Sequence, residues 1–502
     1  MRRRPGAAAL ILAACLVTVL ATARATQGQA RVFYVATTGS DTTGDGSFDQ
    51  PWASLNHALA EVPDEISTVV VGDGSFDAPV LANRAFTTQT TVRAENAYGT
   101  RLVARAEPVL TVAGGTNLTF TGFEITRPAN DNTGLPLVWV TDRLGRPASR
   151  VSIRSNIIHD AARSHLVAVD SGSQDLLIES NVLYNPGDGL SHLVLDGTDG
   201  ALVRENVLFD DFVAAGRAGD ASASFLVISN IEGVRGRQER LLSRDLIVDR
   251  NIFLGWQGVS DAHFVRLGGS GVPGREVDGL RLESNLFLGD SRAALAAPLG
   301  VLGARAVSAR ANTIVGNLPS LAFVAEMDRR GNGTGNEDIS FYNNLWSDPT
   351  GTMSGLSVGD PAANALVVSA NNLYWNGGRA IPEGSGVLSV NADPSALVDD
   401  PQLPATAGVV PPRWDAIRRQ FSGGHETFRE AFTALALYAL TAEDSPAIDH
   451  ADAEHMPLID LLGRPRGSPD IGALEHRSVP TATPVPPGAG KALLPLLMRG
   501  RR

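Results

Sequence analysis

Between about residue 63 and residue 395, short runs of branched apolar residues alternate with polar ones, and clusters of Gly, Asp and Asn separate the runs. A two-residue alternation puts successive side chains on opposite faces, so the runs predict strands and the clusters predict turns. Eight segments then repeat one pattern around an asparagine: IRSNIIHD at Asn156, IESNVLYN at Asn181, VRENVLFD at Asn206, VDRNIFLG at Asn251, LESNLFLG at Asn285, ARANTIVG at Asn312, YNNLWS at Asn344 and ANNLYW at Asn372. They lie 25 to 45 residues apart. That period predicts a solenoid in which each repeat is one coil. Three residues before the asparagine stand Ile153, Ile178, Val203, Val248, Leu282 and Ala309, and one residue after it Ile157, Val182, Val207, Ile252, Leu286 and Thr313. Both sets are expected to point into the core.

The asparagine has a physical reason to recur. A turn entering the left-handed backbone region tolerates Asn, and amides stacked at the ~4.8 Å strand spacing can hydrogen-bond from coil to coil. Two residues before it stand Arg154, Glu179, Arg204, Asp249, Glu283 and Arg310, which read as a solvated stripe of mostly alternating charges pairing across coils.

The ends differ from the middle. Phe33-Tyr34-Val35-Ala36-Thr37-Thr38-Gly39-Ser40-Asp41, Gly44-Asp45-Gly46-Ser47 and Gln50-Pro51-Trp52 precede a segment with Leu55, Ala58, Leu59 and Val62 at helical spacing. One face of such a helix can cover the open end of a coil. Near the other end stand Ser445-Pro446-Ala447-Ile448-Asp449, Gly463-Arg464-Pro465-Arg466 and Asp470-Ile471-Gly472-Ala473-Leu474-Glu475. With these features and the repeat, the chain resembles the right-handed parallel β-helix proteins of the pectate-lyase-like superfamily over residues 31 to about 476. Its last motifs resemble the closing segment of secreted bacterial members. The resemblance implies an all-β solenoid with an N-terminal capping helix. Residues 31–62 would form the entering strand and cap, 63–395 the β-helix, 396–444 an insertion with a short helix, and 445–478 the segment that ties down the terminal coil.

Composition narrows the function. The chain has 502 residues, a formal charge of -12 and one cysteine, Cys15. An acidic body repels phosphates, so nucleic acid is not an expected partner. Lys491 is the only lysine, which excludes a lysine base in the body of the protein. Arg2 to Arg4, an apolar run from Ala7 to Leu20 and Ala23-Arg24-Ala25 read as a cleavable signal peptide over residues 1–25. Lipidation of Cys15 is the alternative. Residues 479–502, a Pro/Thr-rich linker followed by seven apolar residues and arginines, resemble by layout a surface-sorting signal that would attach the protein to the envelope, with a frayed terminus as the alternative. The expectation is a secreted or cell-surface monomer.

In the resembled fold each coil has three strands, the asparagine turn lies between the second and third, and the outer face of the first carries the substrate cleft. Those first strands are expected at residues 137–141, 165–170, 192–196, 225–229, 263–267 and 321–326. His165, His192 and His263 open three of them, and Asp170, Asp196, Asp199, Glu232 and Arg266 lie at their ends or just beyond. Long connections add Arg235, Arg237, Arg240, Arg329 and Arg330 as a groove wall. Two chemistries suit such a groove. In a lyase, a base beside a uronate takes a proton while Ca2+ or a cation neutralises the developing charge. Asp170, Asp196 and Asp199 could hold the ion, and Arg266 or His192 would be the base. In a glycosidase, two carboxylates act as acid and base across the bond. The expected catalytic residues are His192, Arg266, Asp196 and Asp170, with His165, His263, Asp199, Glu232 and Arg235 binding an extracellular polysaccharide. A second place for Ca2+ is the loop from Gly39 through Asp41 and Asp45 to Asp49. Against an enzyme, the Asn-Thr-Asp, Asp-Asp, Gly-His-Gly and Arg-Ile-Lys motifs of polygalacturonases are absent, as is the Asp-Pro-His motif of alginate epimerases. The competing class is a non-catalytic adhesin or spacer. The discriminator is whether Trp139, Trp256, Trp346, Trp375 and the candidate His and Asp side chains converge on one open trough.

Overall fold

The structure is a computed structural model that describes residues 30–142, 145–170, 172–230, 241–316 and 323–476. Residues 1–25, read above as a signal peptide, the segment from residue 479, and the loop with Glu232 and Arg235 lie outside the described residues. Three sheets of 10, 12 and 12 strands, each built from strands of successive coils paired in parallel, wrap one apolar core. One coil runs from Leu193–Asp196 in the first sheet through Asp199–Arg204 in the second to Val207–Phe209 in the third. The next coil returns to the first sheet at Leu226–Ser229, paired in register with Leu193–Asp196. The architecture is therefore an all-β parallel β-helix.

Asparagine sets the register between the second and third sheets. From Asn181 onward each amide oxygen accepts two hydrogen bonds from the asparagine of the preceding coil, from its backbone N–H and its Nδ2, as in Asn206 to Asn251 at 3.0 and 2.9 Å. Each Nδ2 also donates to a carbonyl of the preceding coil, such as Asn251 to Val203 at 3.0 Å. The ladder is unbroken from Asn156 to Asn372. Asp393 ends it by accepting from the Asn371 and Asn372 backbone N–H groups and from Asn372 Nδ2. The left-handed residue of the turn is not the asparagine but its predecessor: Ser155, Ser180, Glu205, Arg250, Ser284, Ala311, Asn343 and Asn371 all have positive φ. Asn is selected here for its buried amide, not for its backbone tolerance.

That turn also reverses one expectation about facing. Ile153, Ile178, Val203, Val248, Leu282 and Ala309 stack inward as expected. Ile157, Val182, Val207, Ile252 and Leu286 are fully buried but belong to a separate apolar layer on the outside of the third sheet. The inward residues are one further on: Ile158, Leu183, Leu208, Phe253 and Phe287. The third sheet is covered on both faces, so its strands lose the alternation that marks a half-exposed strand.

The cover is the C-terminal chain. It contains a hairpin pairing Trp414–Asp415 with Gln420–Phe421 and a helix, Phe428–Ala436, opened by a capping box of Thr427 and Glu430. Trp414, Phe421, Phe432, Leu435, Leu461 and Leu474 pack on the outward row of the third sheet. Residues 445–476 lie along this flank and reach the last coils: Asn371 Nδ2 donates to the His450 carbonyl, the Ala473 N–H to Thr313 Oγ1 and the Gly472 N–H to the Asn343 carbonyl, while Ala447 and Ile471 pack on Leu345 and Leu373. Arg466, buried against Glu475 at 2.6 Å, also donates to the carbonyls of Gly472 and Ala473, so these charges brace the strap.

At the other end, strand Arg31–Val35 pairs with Ser67–Val71, and helix Leu55–Glu61 buries Leu55, Ala58 and Leu59. Asp41 accepts from Ala53 N–H, Ser54 N–H and Ser54 Oγ, which fixes the start of that helix. The outward charges of the second sheet pair as expected, Glu179 between Arg154 and Arg204, and Glu283 with Arg310.

Replacing Asn251 by Ala would leave Asn206 and Val203 with unpaired buried groups, at a cost of about 3 kcal/mol or more. Replacing the half-exposed Arg154 by Ala would cost under about 1 kcal/mol. Urea unfolding midpoints of the two variants against the parent measure this difference.

Candidate functional site

The outer face of the first sheet is a floor of two neighbouring rows. Strand pairing stacks Trp139, Ala168, Val194, Val227, Arg266, Gly300 and Glu326 in one row, one residue per coil. Two residues further along the strands, a polar row holds Asp196 paired with Ser229, and Asp170 directly after Val169, the partner of Leu195. An apolar strip of Ala168, Val194 and Val227 thus runs from an indole to a guanidinium, with carboxyl groups alongside. Trp139, Asp170, Asp196, Ser229 and Arg266 are all half-buried.

Asp170 and Asp196 lie on adjacent coils, one strand spacing of about 4.8 Å apart in backbone terms. Trp139 Nε1 donates to Asp170 Oδ2 at 2.8 Å, while Asp170 Oδ1 is buried and has no hydrogen-bond partner among the described residues. Ser229 Oγ donates to Asp196 Oδ1. Burial pushes the Asp196 carboxyl up to about 6, helped by the negative charges of Asp170 and Glu276 and opposed by the Ser229 hydrogen bond and Arg266. Arg266 lies two coils from Asp196. Its guanidinium makes no hydrogen bond or ion pair among the described residues, its Nε is buried, and burial holds its pKa below the usual arginine value. Glu276, near it, accepts from the N–H groups of Gly269 and Ser270 and so shapes the turn after the Arg266 strand.

Beyond Arg266 the face is closed by internal pairing. His263 Nε2 lies 2.8 Å from Glu326 Oε2, and Arg330 lies 2.6 Å from Glu326 Oε1. Gly300 makes this possible, because a Cβ there would come within 2.7 Å of the His263 ring. Burial opposes the ionised Glu326, but His263 and Arg330 hold its pKa below the usual range.

The expected residues therefore separate. Asp170, Asp196 and Arg266 share the outer face of the first sheet, with His165 nearby. His165 is half-buried, its Nδ1 accepts from Ser191 N–H at 3.0 Å, and burial together with the Arg266 charge holds its pKa low. His263 is fully buried and locked to Glu326. His192 is not on this face at all. It takes the position of Phe225 in the next coil, packs on that ring at 4.2 Å, and approaches the Phe209 carbonyl at 2.8 Å and Asp210 at 3.3 Å, fully buried. Two consecutive residues, His192 and Leu193, face inward at this corner, which breaks the alternation that placed it outside. Asp199 begins a strand of the second sheet, where burial, opposed by Arg244, raises its pKa. It does not join Asp170 and Asp196, so the three carboxylates offered as calcium ligands are not assembled. The Gly39–Asp49 loop uses Asp41 for the helix start and Asp45 for Ser47 N–H. Among the described residues no group of three or more His, Cys, Asp and Glu is placed to hold a metal ion. Trp256 and Trp346 are core residues, and Trp375 stands on the third sheet. Of the four, Trp139 is the one that stands in the outer row of the first sheet, beside Asp170.

Ser229, Glu276 and Glu326 had no place in the sequence-based set. Glu326 shares a row with Arg266 once strand Leu299–Leu302, which carries no charged residue, is counted as a coil.

No family model and no curated protein matches the chain. Among solved structures it is similar to pectate lyase Pel9A (14% identity, TM-score 0.48, 90% of this chain and 97% of that one). It is also similar to a glycoside hydrolase (9% identity, TM-score 0.44, 74% and 96%) and to the alginate lyase AlyGC (13% identity, TM-score 0.43, 85% and 58%).

The raised Asp196 pKa has a stability consequence. Between the unfolded value of 3.8 and about 6 the folded state binds the extra proton, so this group's stabilisation is complete below pH 4 and is lost as pH rises through 6. Asp196→Asn removes the penalty of ionising there. The variant should match the parent at pH 4 and exceed it at pH 8 by up to about 2–3 kcal/mol, read from urea unfolding at both pH values.

Proposed function

We propose that the groove on the first sheet cleaves a polysaccharide by acid–base chemistry, with Asp196 as the general acid and Asp170 as its partner carboxylate. The observation that carries this reading is the Asp196 carboxyl, held protonated up to about pH 6 beside a second carboxyl group oriented by Trp139. Environments that push two neighbouring acids apart in their titration define an acid and a base. Asp196 gives its proton to the glycosidic oxygen as the C–O bond breaks. At this close spacing Asp170 attacks the anomeric carbon as that bond breaks, and the ionised Asp196 then takes a proton from the water that releases the sugar from Asp170, which restores both carboxyl groups. The apolar strip of Ala168, Val194 and Val227 suits the C–H face of sugar rings, and the Trp139 ring supplies a stacking edge. Because the coils stack along one axis, a glycan lying on this strip meets both carboxyl groups and Arg266 in succession. In this reading the chain is exported by residues 1–25 and acts outside the cell, with residues 479–502 as its attachment to the envelope.

A second reading, eliminative cleavage of a uronate chain with Arg266 as base, is favoured by one observation: burial holds that guanidinium below the usual arginine pKa. The two reactions give different products. Hydrolysis releases reducing ends without absorbance near 235 nm, and elimination releases both.

For the first reading, kcat/KM should fall as pH rises through about 6, because the free enzyme loses the Asp196 proton. Asp196→Asn and Asp170→Asn should each lower it by roughly 10²–10⁴-fold in a reducing-end assay. Ser229→Ala removes a hydrogen bond that stabilises the ionised Asp196, so the falling limb should move to higher pH. Retained activity in both aspartate variants would refute the assignment. Tight glycan binding with no cleavage by the parent would leave a binding protein.

A further inference from the structure

Arginine side chains on this protein are paired almost wherever they are buried. Arg466 is held by Glu475, Arg250 by Asp249 and Glu205, and Arg127 by Asp131 and three carbonyls. Arg330, four residues beyond Glu326, is held by that carboxylate. Arg266 differs. It stands on the groove floor with a buried Nε, and no carboxylate or carbonyl of the described residues lies within bonding distance. Its nearest negative charges, Glu276 and Asp196, act on it only at longer range. A half-buried guanidinium loses hydration and here gains nothing local in return, a cost that a bound anion would offset.

We infer that Arg266 is a subsite for one anionic substituent, a carboxylate or sulfate ester, carried by the glycan about two coils from the Asp196 acid. This rests on the acid–base reading of the groove, and it gives Arg266 a role in selecting substrate instead of abstracting a proton. Two strand spacings separate the Arg266 position from that of Asp196, about 10 Å along the axis. The floor between them is the apolar pair Val194 and Val227, so a chain lying there reaches the guanidinium with its ring faces on hydrocarbon. The planar fork matches both oxyanions in a two-point geometry, which a lysine cannot reproduce. On the far side, the Glu326 carboxylate is already engaged by His263 and Arg330, so it does not compete for Arg266. The groove is therefore polarised, with an indole one coil beyond the carboxyl pair and a cation two coils to the other side.

The test uses oligogalacturonate, oligomannuronate and a sulfated galactan oligosaccharide, each beside its neutral counterpart made by carboxyl reduction or desulfation. Binding is measured by calorimetry in an Asp196→Asn background, which slows turnover. With Arg266 present, at least one charged member should bind ten-fold or more tighter than its neutral counterpart, and raising salt should shrink that ratio. Arg266→Gln should bring the ratio close to one without weakening the neutral sugar, and Arg266→Lys should retain only part of it. An unchanged ratio in Arg266→Gln, or no binding of any charged member, overturns the inference. The acid–base reading fails separately, through retained cleavage in the Asp196 and Asp170 variants with Arg266 intact.

Discussion

The buried amide ladder is the constraint from which the rest of this molecule follows. Each Asn side chain both accepts from the coil before it and donates back to that coil, so adjacent coils cannot slip by one residue without stranding several buried polar groups. A slip would also turn every side chain of the first sheet to the opposite face. Fixing the asparagines therefore fixes, on a different sheet, which residues stand above one another. Trp139, Asp170, Asp196 and Arg266 are spread over more than 120 residues of chain, and the ladder is what makes them neighbours in a column.

The chemistry of the first sheet's outer face is set by what that stacking leaves unpaired. On the second sheet, charges mostly alternate in sign and pair across coils, Asp249 beside Glu283 being the exception. On the first sheet the same geometry sets a carboxyl beside a carboxyl, and two coils later an arginine beside a valine and a glycine. Like-charge proximity and burial raise the Asp196 pKa, and the lack of a counter-ion leaves Arg266 unsatisfied. Neither arrangement favours folding. Sites where a stable fold tolerates such local conflict are where ligand chemistry is sought.

How much of this was legible depended on which rule governed each position. The asparagine repeat located the coils, and counting back from it located most first-sheet strands, because stacking is periodic and periodicity is written in the chain. Asp170, Asp196 and Arg266 followed from that count. His192 did not, because the corner before Leu193 turns two successive residues inward, a backbone bend that no alternation encodes. Ile157 and its equivalents were placed in the central core, since a buried apolar position reads the same whichever layer buries it. The covering layer comes from residues around 414–474, far along the chain and without a repeat of their own. Asp199 lies one turn too far along its coil, and the coil at Leu299–Leu302 carries no ionisable group that would mark it. Partner-dependent properties, such as the orphaned guanidinium or the Gly300 gap filled by His263, exist only once coils are stacked.

The strap over the third sheet imposes an order on assembly. Trp414 rests against Tyr98, and Arg419 reaches Asp73, so the end of the chain is completed against some of its earliest coils. During synthesis those coils emerge first and must wait, with the outward row from Ile157 to Leu286 bare, for a cover that is made after them. Local stacking can proceed coil by coil, but this layer closes only by contacts of very high sequence separation, which are slow to form. A nascent or truncated chain thus presents a sticky hydrocarbon seam that the finished protein hides, a natural handle for chaperones and a point of vulnerability to aggregation.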